Sequence, residues 1–327
     1  MTEITELAGI AKGTVEKLKN LGILTIEDLA TTPYTTLSES SERISEDMAK
    51  KVVKMAVQQC AKTMFLTGSQ IFERRKTVNK LSLCVPDFDE LMGGGIETQC
   101  ITEVYGEFGC GKSQIAHQLA VNVQLPFKEG GLEGGAIYID SEGSFRPNRI
   151  EQMAEGYAKI HPGCTELDVQ DVLDNIHVAY PSSSSNQILL METAYEIAKD
   201  LKEAGKKEIK LVIVDSLTSH FRAEFMGRDT LPERQGLLHK HMQSINSFAK
   251  QMNAVALVTN QVMSAPGTFF GDPTRPVGGN IVGHTSKYRI YLRKAKAGTR
   301  VAKLVDAPDL PDGEAAFAVI ADGVISH

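Results

Sequence analysis

VYGEFGCGKSQIA occupies residues 104–116 and places three glycines, a lysine and a hydroxyl group at one bend. A β-prone run leads into the bend, and a stretch of helical character follows it. Gly106 to Ser113 matches G-x-x-x-x-G-K-[ST] in the strand-to-helix context that this motif requires. Its glycines let the backbone wrap closely around phosphate oxygens, and the helix start adds positive potential. We therefore predict a nucleoside triphosphate site, in which Lys112 neutralises the β and γ phosphates and the Ser113 hydroxyl binds Mg²⁺.

The whole bend contributes to this predicted site. Its nucleotide-binding residues are Gly106, Glu107, Phe108, Gly109, Cys110, Gly111, Lys112, Ser113 and Gln114. Cys110 stands beside a helix start and a lysine, an environment that lowers the pKa of a thiol. We therefore expect Cys110 to be reactive, and its alkylation to inactivate ATP hydrolysis unless bound ATP protects it.

Three other polar residues follow apolar runs typical of buried strands. Asp215 ends KLVIVD and is predicted to hold the Mg²⁺ water shell. Glu142 follows AIYID and is predicted to polarise the attacking water, a role for which Asp140 is the alternative. Gln261 follows VALVTN and is predicted to sense the γ-phosphate, with a strand-end cap as the alternative.

Composition limits the class of protein. The chain has 327 residues, 42% of them hydrophobic and 23% charged, which is ordinary for a soluble globular protein of two or three domains. A net charge of −6 argues against indiscriminate binding to nucleic acid or anionic membranes but allows a local basic patch. Five scattered cysteines form no C-x-x-C pair, which argues against a disulfide framework or a zinc site. We expect a cytoplasmic protein without an export signal or a membrane span.

From residue 81 to 327 the sequence alternates between strands and helices. The strand candidates are CITEVYG, GAIYID, NIHVAY, LVIVDS, AVALVTN and YRIYLRK. Such alternation predicts an α/β fold with a doubly wound, mostly parallel sheet. Ligands of such sheets bind beyond the carboxyl ends of the strands.

Residues 1–60 predict a separate helical domain. Val15, Leu18 and Leu21 share one helical face, Met48, Val52 and Met55 share another, and Ser45 is a plausible helix start. LAGIAKGTVEKLKNLGI resembles a helix-hairpin-helix, whose backbone N–H groups meet a DNA phosphate. A helical docking module that does not touch DNA is the alternative.

Residues 61–80 predict a linker with a short helix. Phe65, followed by small residues up to Gly68, is a candidate anchor for a neighbouring subunit. Alternatively, Phe65 completes the core of the helical domain.

Three basic or glycine-rich segments follow the nucleotide strands. One contains Arg222, Arg228 and Arg234, and another runs from residue 262 to 284 as an apparent loop. A loop of that length in a compact domain is functional or disordered. The third, SKYRIYLRKAKAGTR, is basic in an otherwise acidic chain. We predict DNA contacts at Arg222, Arg228, Arg234, Phe269, Phe270, Gly278, Gly279, Arg289 and Arg293.

The combined pattern of GEFGCGKSQ, YIDSEGSFRPNRI, LVIVDSLTSHFRAEF, LVTNQV, PVGGNIVGH and YLRKAKAGTRVAKLVDAPDLPDGEAAF resembles the archaeal RadA recombinases. The resemblance implies a RecA-like ATPase core, preceded by a small all-α domain. It also implies a DNA-dependent ATPase that forms helical filaments, or rings, on single-stranded DNA and exchanges strands with duplex DNA during repair. Mg²⁺ is the implied metal, K⁺ is a candidate second cation, and recombination mediators are candidate partners at the nucleoid.

Further site residues follow from the resemblance alone. It implies that Arg149 stacks on adenine and that His284 senses the γ-phosphate with Gln261. It implies that Asp306 and Asp312 reach the nucleotide of an adjacent subunit. It also implies docking of Phe65 on the next protomer, with Gly68 where the family has alanine.

Other function classes remain open at this point. A regulatory paralogue or mediator would bind ATP without exchanging strands, and a ring-shaped helicase would share the same core. A phosphotransferase kinase would leave the basic loops without a purpose. A strand-exchange assay separates the first of these from a recombinase, and electron microscopy distinguishes a ring from a filament.

Overall fold

The computed structural model describes residues 3–38, 40, 42, 44–64, 66–227, 229–264 and 274–327. This part of the chain folds into two compact units, and the division between them falls between Lys76 and Thr77. No helix of the described residues is both long and apolar enough to cross a bilayer.

The first unit is helical. Its helices are α1 (Lys12–Asn20), α2 (Ile26–Thr31), α3 (Tyr34–Ser38), α4 (Glu46–Met64) and α5 (Gly68–Arg75). Helix α2 begins with a capping box, in which the Thr25 hydroxyl accepts from the Asp28 N–H and the Asp28 carboxylate accepts from the Thr25 N–H, both at 3.1 Å. Helix α4 begins after Ser45, as predicted.

The core of this unit differs in one detail from the predicted helical faces. Leu18 of α1 and Val52 of α4 are buried, as expected. Met48 is 38% exposed, and the neighbouring Ala49 is buried in its place. The buried stripe of α4 therefore starts one residue later than the hydrophobicity of Met48 suggested, because a small side chain fits where α2 packs against α4.

The segment 61–80 contains the end of α4 and the whole of α5. Helix α5 has its own capping box between Thr67 and Gln70. Gly68 is the first residue of this helix. Phe65, the predicted subunit anchor, lies outside the described residues.

The second unit is an α/β domain, as predicted. In chain order its elements are β1 (Lys80–Leu81), α6 (Pro86–Leu91), β2 (Ile96–Glu97), β3 (Ile101–Gly106), α7 (Lys112–Asn122), β4 (Gly135–Asp140), α8 (Pro147–Ile160), α9 (Val169–Asp174), β5 (Ile176–Ala179), α10 (Ser184–Glu203), β6 (Ile209–Asp215), α11 (Ser219–Glu224), α12 (Leu231–Gln251), β7 (Val255–Asn260), β8 (Val262–Ser264), β9 (Thr274–Pro276), α13 (Gly279–Thr285), β10 (Tyr288–Lys294), β11 (Arg300–Asp306), β12 (Gly313–Ile320) and β13 (Gly323–Ser326).

The central sheet has nine strands in the order β13-β12-β11-β10-β3-β7-β6-β4-β5. The six strands from β10 to β5 are parallel, and these are the six that the sequence predicted. Strands β11, β12 and β13 extend one edge in antiparallel pairs, which the strand candidates did not include. The fold is therefore a mostly parallel sheet with an antiparallel extension.

Hydrophobic side chains cover both faces of the sheet. On one face Val104, Ile115 and Tyr138 belong to a cluster with helices α7 and α8, and on the other Val212 and Phe248 belong to a cluster with α10 and α12. All six residues of β3, of β4 and of β7 are buried. Burial on both sides explains their continuous apolar runs, which are typical of parallel strands between helices.

Parallel register brings the polar strand ends to one edge. Asp140 at the end of β4 is the register partner of Asp215 at the end of β6. Strands β3 and β7 end nearby at Gly106 and Asn260 and are themselves neighbours. The predicted chemical groups therefore gather at the carboxyl edge of the sheet.

Candidate nucleotide site and adjoining basic segments

The bend between β3 and α7 forms a cradle for an anion. Gly109 and Gly111 have φ of 75° and 109°, which are conformations that favour glycine. The Lys112 ammonium donates to the carbonyl oxygens of Gly106 at 2.9 Å and Glu107 at 3.0 Å, so it lies folded over the loop. The first N–H groups of α7 have no acceptor within the helix. Donors, helix dipole and ammonium together fit a phosphate group. Phe108, at the tip of the loop, is 95% exposed.

Cys110 differs from its predicted character. Its side chain is buried, and its sulfur lies 3.9 Å from the Lys112 ammonium. Burial raises the pKa of the Cys110 thiol, an effect that the nearby Lys112 charge only partly offsets. The prediction of a lowered pKa is therefore wrong, because loss of solvation outweighs the neighbouring cation.

Three hydroxyl groups hold the Asp215 carboxylate. One oxygen accepts from Tyr138 Oη at 2.7 Å and from Ser144 Oγ at 3.0 Å, and the other accepts from Thr259 Oγ1. Asp215 is only 2% exposed. Carboxylate oxygens are the ligand type that suits Mg²⁺ and its water shell. Ser113, the other predicted metal-site residue, is the second residue of α7. Among the described residues no cluster of three or more His, Cys, Asp or Glu side chains has the arrangement of a metal site.

Burial and the Asp215 charge together raise the pKa of Tyr138 well above its ordinary value. Its hydroxyl therefore stays protonated and acts as a donor to Asp215. Sequence reasoning missed Tyr138, Ser144 and Thr259. The available signal was a polar tip on a residue of an otherwise apolar strand, as in AIYID and VALVTN.

Asp140 and Glu142 have different surroundings. The Asp140 carboxylate accepts from the backbone N–H groups of Glu142 at 3.2 Å, Ser144 at 3.0 Å and Phe145 at 2.8 Å. Asp140 is buried and shapes the loop, whereas the Glu142 side chain is exposed at the edge of the sheet. This contrast favours Glu142 over Asp140 as the residue that activates water, an assignment that remains a prediction.

His117 connects helix α7 to the loop that carries Glu142. Its Nε2 accepts from the Arg146 N–H at 3.3 Å, so the proton lies on Nδ1, which faces the Ser113 carbonyl oxygen at 2.5 Å. The ring also stacks on Phe145, with centroids 5.4 Å apart. Burial lowers the pKa of His117, which keeps it neutral. Sequence reasoning did not identify this residue, since its partner lies 29 residues away.

Gln261 joins the predicted catalytic group to a predicted DNA residue. Its Nε2 donates to Glu142 Oε1 at 2.6 Å, and its Oε1 accepts from Arg222 Nη1 at 3.1 Å. Arg222 lies on α11, Gln261 follows β7, and Glu142 follows β4. Three positions widely separated in sequence thus form one hydrogen-bonded chain.

Arg149 lies where α7, α8 and the C-terminal hairpin meet. Its guanidinium donates to Gln114 Oε1 at 2.8 Å and to the carbonyl oxygens of Ile320 at 2.8 Å and Ala321 at 2.5 Å. The side chain is fixed by these contacts rather than free in solvent. Its predicted stacking on adenine remains a prediction.

Asp306 ends strand β11 of the antiparallel extension, and Asp312 directly precedes strand β12. Strand β11 begins at Arg300, opposite Lys294, and ends at Asp306, opposite Arg289. Six residues of extended chain span roughly 20 Å. Asp306 therefore lies at the opposite end of β11 from the bend between β3 and α7. Its contact with the nucleotide of an adjacent subunit remains a prediction. His284 is exposed near the end of α13.

The basic run of β10 is divided among several partners. Arg289 Nε donates to the fully buried Glu103 at 2.8 Å, and its guanidinium lies 5.5 Å from the Tyr105 ring centre. Its side chain is only 17% exposed. This buried ion pair makes Arg289 a structural residue of the sheet, and its predicted DNA contact remains a prediction. Arg293 makes an exposed ion pair with Glu314 at 2.9 Å.

The rest of that run approaches the nucleotide loop. Lys294 Nζ lies 3.0 Å from the point that a β-carbon on Gly109 would occupy, and Arg300 Cδ lies equally close to that of Gly111. The parallel pairing of β10 with β3 produces this placement, since Leu292 is opposite Gly106. Sequence reasoning assigned the run to DNA because the pairing of β10 was unknown.

The remaining predicted DNA residues are only partly described. Arg222 is exposed on α11, and Arg234 lies in the first turns of α12. Gly278 precedes α13, and Gly279 begins it. Arg228, Phe269 and Phe270 lie outside the described residues. The segment 262–284, predicted as a loop, contains in its described part the two-stranded ribbon of β8 with β9 and most of helix α13.

The chain is similar to one family of known proteins over most of its length. A family model described as Rad51 matches residues 74–327. The DNA repair and recombination protein RadA of Methanocorpusculum labreanum is 52% identical over 324 residues, covering 98% of each chain. RadA of Methanoculleus marisnigri is 52% identical over 97% of this chain and 96% of its own length. RadA of Halobacterium salinarum is 46% identical over 99% of this chain and 98% of its own length.

Proposed function

Because the chain belongs to the RadA/Rad51 family of recombination proteins, we propose that it is a DNA-dependent ATPase that forms filaments on single-stranded DNA and catalyses strand exchange. It would act on chromosomal DNA in the cytoplasm. The observation that carries the proposal is the gathering of a phosphate cradle, a buried Asp215, an exposed Glu142 and the Gln261–Arg222 link at one sheet edge.

Different residues of the site take different roles in ATP hydrolysis. Lys112 and the loop N–H groups hold the β and γ phosphates of ATP, the substrate. Ser113 and Asp215 would hold Mg²⁺, which supplies positive charge to the transferring phosphoryl group. Glu142 accepts a proton from the attacking water, and Gln261 responds to loss of the γ-phosphate.

Subunit contacts complete the proposed site. Asp306 lies far along β11 from its own P-loop, which supports a role at the nucleotide of an adjacent subunit. Asp312 follows on the same side of the domain, and K⁺ is a candidate cation between such carboxylates and the phosphates. ATP would then stabilise the filament, and hydrolysis would loosen it.

Strand exchange and ATP turnover test this proposal together. The chain should form joint molecules from homologous single-stranded and duplex DNA with ATP and Mg²⁺, and single-stranded DNA should stimulate phosphate release. Lys112→Ala should abolish both activities. Glu142→Gln should slow turnover by about 10² or more, the usual contribution of a general base, while nucleotide binding persists.

Two results would contradict the proposal. Phosphate release that DNA leaves unchanged at every salt concentration would argue against a DNA-dependent ATPase. DNA-stimulated turnover without joint molecules would instead indicate a mediator or a ring-forming ATPase.

A further inference from the structure

The hydrogen-bonded chain from Arg222 through Gln261 to Glu142 has a fixed polarity. A guanidinium has only donors, and an ionised carboxylate has only acceptors. The Gln261 amide must therefore present its oxygen to Arg222 at 3.1 Å and its NH₂ group to Glu142 at 2.6 Å. These requirements fix the orientation of the Gln261 amide. A side chain with only donors or only acceptors could not bridge Arg222 and Glu142 in this way.

Buried contacts hold the backbone segments that carry Arg222, Gln261 and Glu142. Helix α11 begins after Thr218, whose hydroxyl donates to the buried Asn260 Oδ1 at 2.8 Å. Asn260 precedes Gln261, whose carbonyl oxygen accepts from the Val277 N–H at 3.0 Å. Asp140 fixes the loop of Glu142 through three backbone N–H groups. The three side chains can separate by rotation about their own bonds, while the frame stays in place.

The contact restricts the Glu142 carboxylate. One of the two Glu142 oxygens is occupied by the Gln261 amide. While the contact lasts, the Glu142 side chain is held toward Gln261 and is less free to turn toward water.

A DNA phosphate can compete with Gln261 for the Arg222 guanidinium. Arg222 is exposed, and its partner is the neutral oxygen of Gln261. Hydrogen bonds between a guanidinium and a phosphate are charge-assisted and roughly twice as strong as those to a neutral group. A DNA phosphate at Arg222 would therefore displace the Gln261 amide.

We propose that Arg222 is a positioning residue that restrains Glu142 through Gln261 in the absence of DNA, and that a DNA phosphate bound at Arg222 releases this restraint. The inference rests on the proposed ATP hydrolysis. It gives Arg222 two roles: it binds a DNA phosphate, and without DNA it restrains the Glu142 carboxylate through Gln261.

The test is the rate of phosphate release by the full chain with ATP and Mg²⁺ in the absence of DNA. Arg222→Gln should raise this rate by about three- to tenfold, the factor expected for loss of one ordinary hydrogen bond. Stimulation by single-stranded oligothymidylate should shrink correspondingly. An arginine that only binds DNA would leave the DNA-free rate unchanged and lower the stimulated rate.

Two further variants isolate the route through Gln261. Lys240→Gln removes the same charge from an exposed position on α12 and should leave the DNA-free rate unaltered. In a Gln261→Leu background, Arg222→Gln should cause no further rise, since the link is already broken. Circular dichroism checks that each variant is folded.

The inference fails if Arg222→Gln leaves the DNA-free rate unchanged, if Lys240→Gln raises it equally, or if the rise persists in the Gln261→Leu background. Absence of turnover by the unaltered chain, with or without DNA, would contradict the proposed function itself and remove the reaction that Arg222 is proposed to restrain.

Discussion

Cys110 and Lys112 show two opposing influences on one thiol. The ammonium group lies 3.9 Å from the sulfur and favours the thiolate. Burial disfavours the thiolate more strongly, so the pKa of Cys110 is raised. The position of a cysteine in a phosphate loop therefore does not make it a reactive nucleophile.

Slow alkylation of Cys110 is the prediction at this scale. N-ethylmaleimide at neutral pH should modify Cys110 in the folded chain at least about tenfold more slowly than in urea, because both burial and the raised pKa limit thiolate access. The rate should increase as the pH rises. Peptide mass spectrometry measures it, with the less buried Cys164 as the internal comparison. Equal rates for Cys110 in folded and unfolded protein would contradict this expectation.

Single residues of the site differ in how far the sequence could predict them. The loop from Gly106 to Ser113 is contiguous, so its spacing alone predicts its geometry. Tyr138 and Thr259 depend on which strands become neighbours of β6, and a single sequence does not contain that information. The ion pair of Arg289 was not predicted for the same reason, since its partner Glu103 lies on another strand.

Two helices each contain a glycine in their interior, with opposite packing. In α8, a methyl group added at Gly156 would lie 2.1 Å from the Asp322 carbonyl oxygen in the C-terminal hairpin. In α12, a methyl group added at Gly236 would meet nothing within 4 Å. The first glycine permits close packing of two elements, and the second only weakens its helix.

The same substitution at these two sites should therefore have opposite effects. Gly156→Ala should lower the free energy of unfolding by about 1–3 kcal/mol through overpacking, and should weaken nucleotide binding by shifting the hairpin that holds Arg149. Gly236→Ala should raise the free energy of unfolding by about 0.5–1 kcal/mol. Urea denaturation and titration with a fluorescent ATP analogue measure the two effects. Destabilisation by both variants would indicate that helix packing, rather than the hairpin contact, decides the outcome.

Elements were predicted well where their pattern is local. The inner parallel strands β3, β4, β6 and β7 have the continuous apolar runs that burial between two helical layers requires. Strands β11 and β12 alternate between buried and half-exposed positions, so their apolar signal is weak. The antiparallel extension was therefore missed, although it determines where Lys294, Arg300 and Asp306 lie.

At the scale of the whole molecule, the α/β unit contains a histidine that must stay neutral. His241 on α12 is fully buried; its Nε2 contacts Gln187 Nε2 at 3.1 Å, and its ring stacks on Phe221. Because the Gln187 amide nitrogen only donates, His241 Nε2 accepts. Burial lowers the pKa of His241 from 6.5 to about 3.

Stability should consequently fall in mild acid. Below pH 6.5 the unfolded chain binds a proton at His241 while the folded chain does not, so the free energy of unfolding falls as the pH falls toward 3. The His241 contribution approaches about 1.4 kcal/mol per pH unit. Urea denaturation between pH 7 and pH 5 measures it, and His241→Gln should show a shallower slope than the unaltered chain. Identical slopes would exclude His241 as the source of the acid sensitivity.

The way in which Arg149 is anchored has a consequence for sequence variation. Its guanidinium binds the main-chain oxygens of Ile320 and Ala321, not their side chains. Substitutions at these two positions can therefore alter the shape and polarity of the surface beside Arg149 without removing the acceptors that orient it. Because Arg149 is predicted to stack on adenine, libraries randomised at 320 and 321 would test whether this surface sets the nucleotide preference.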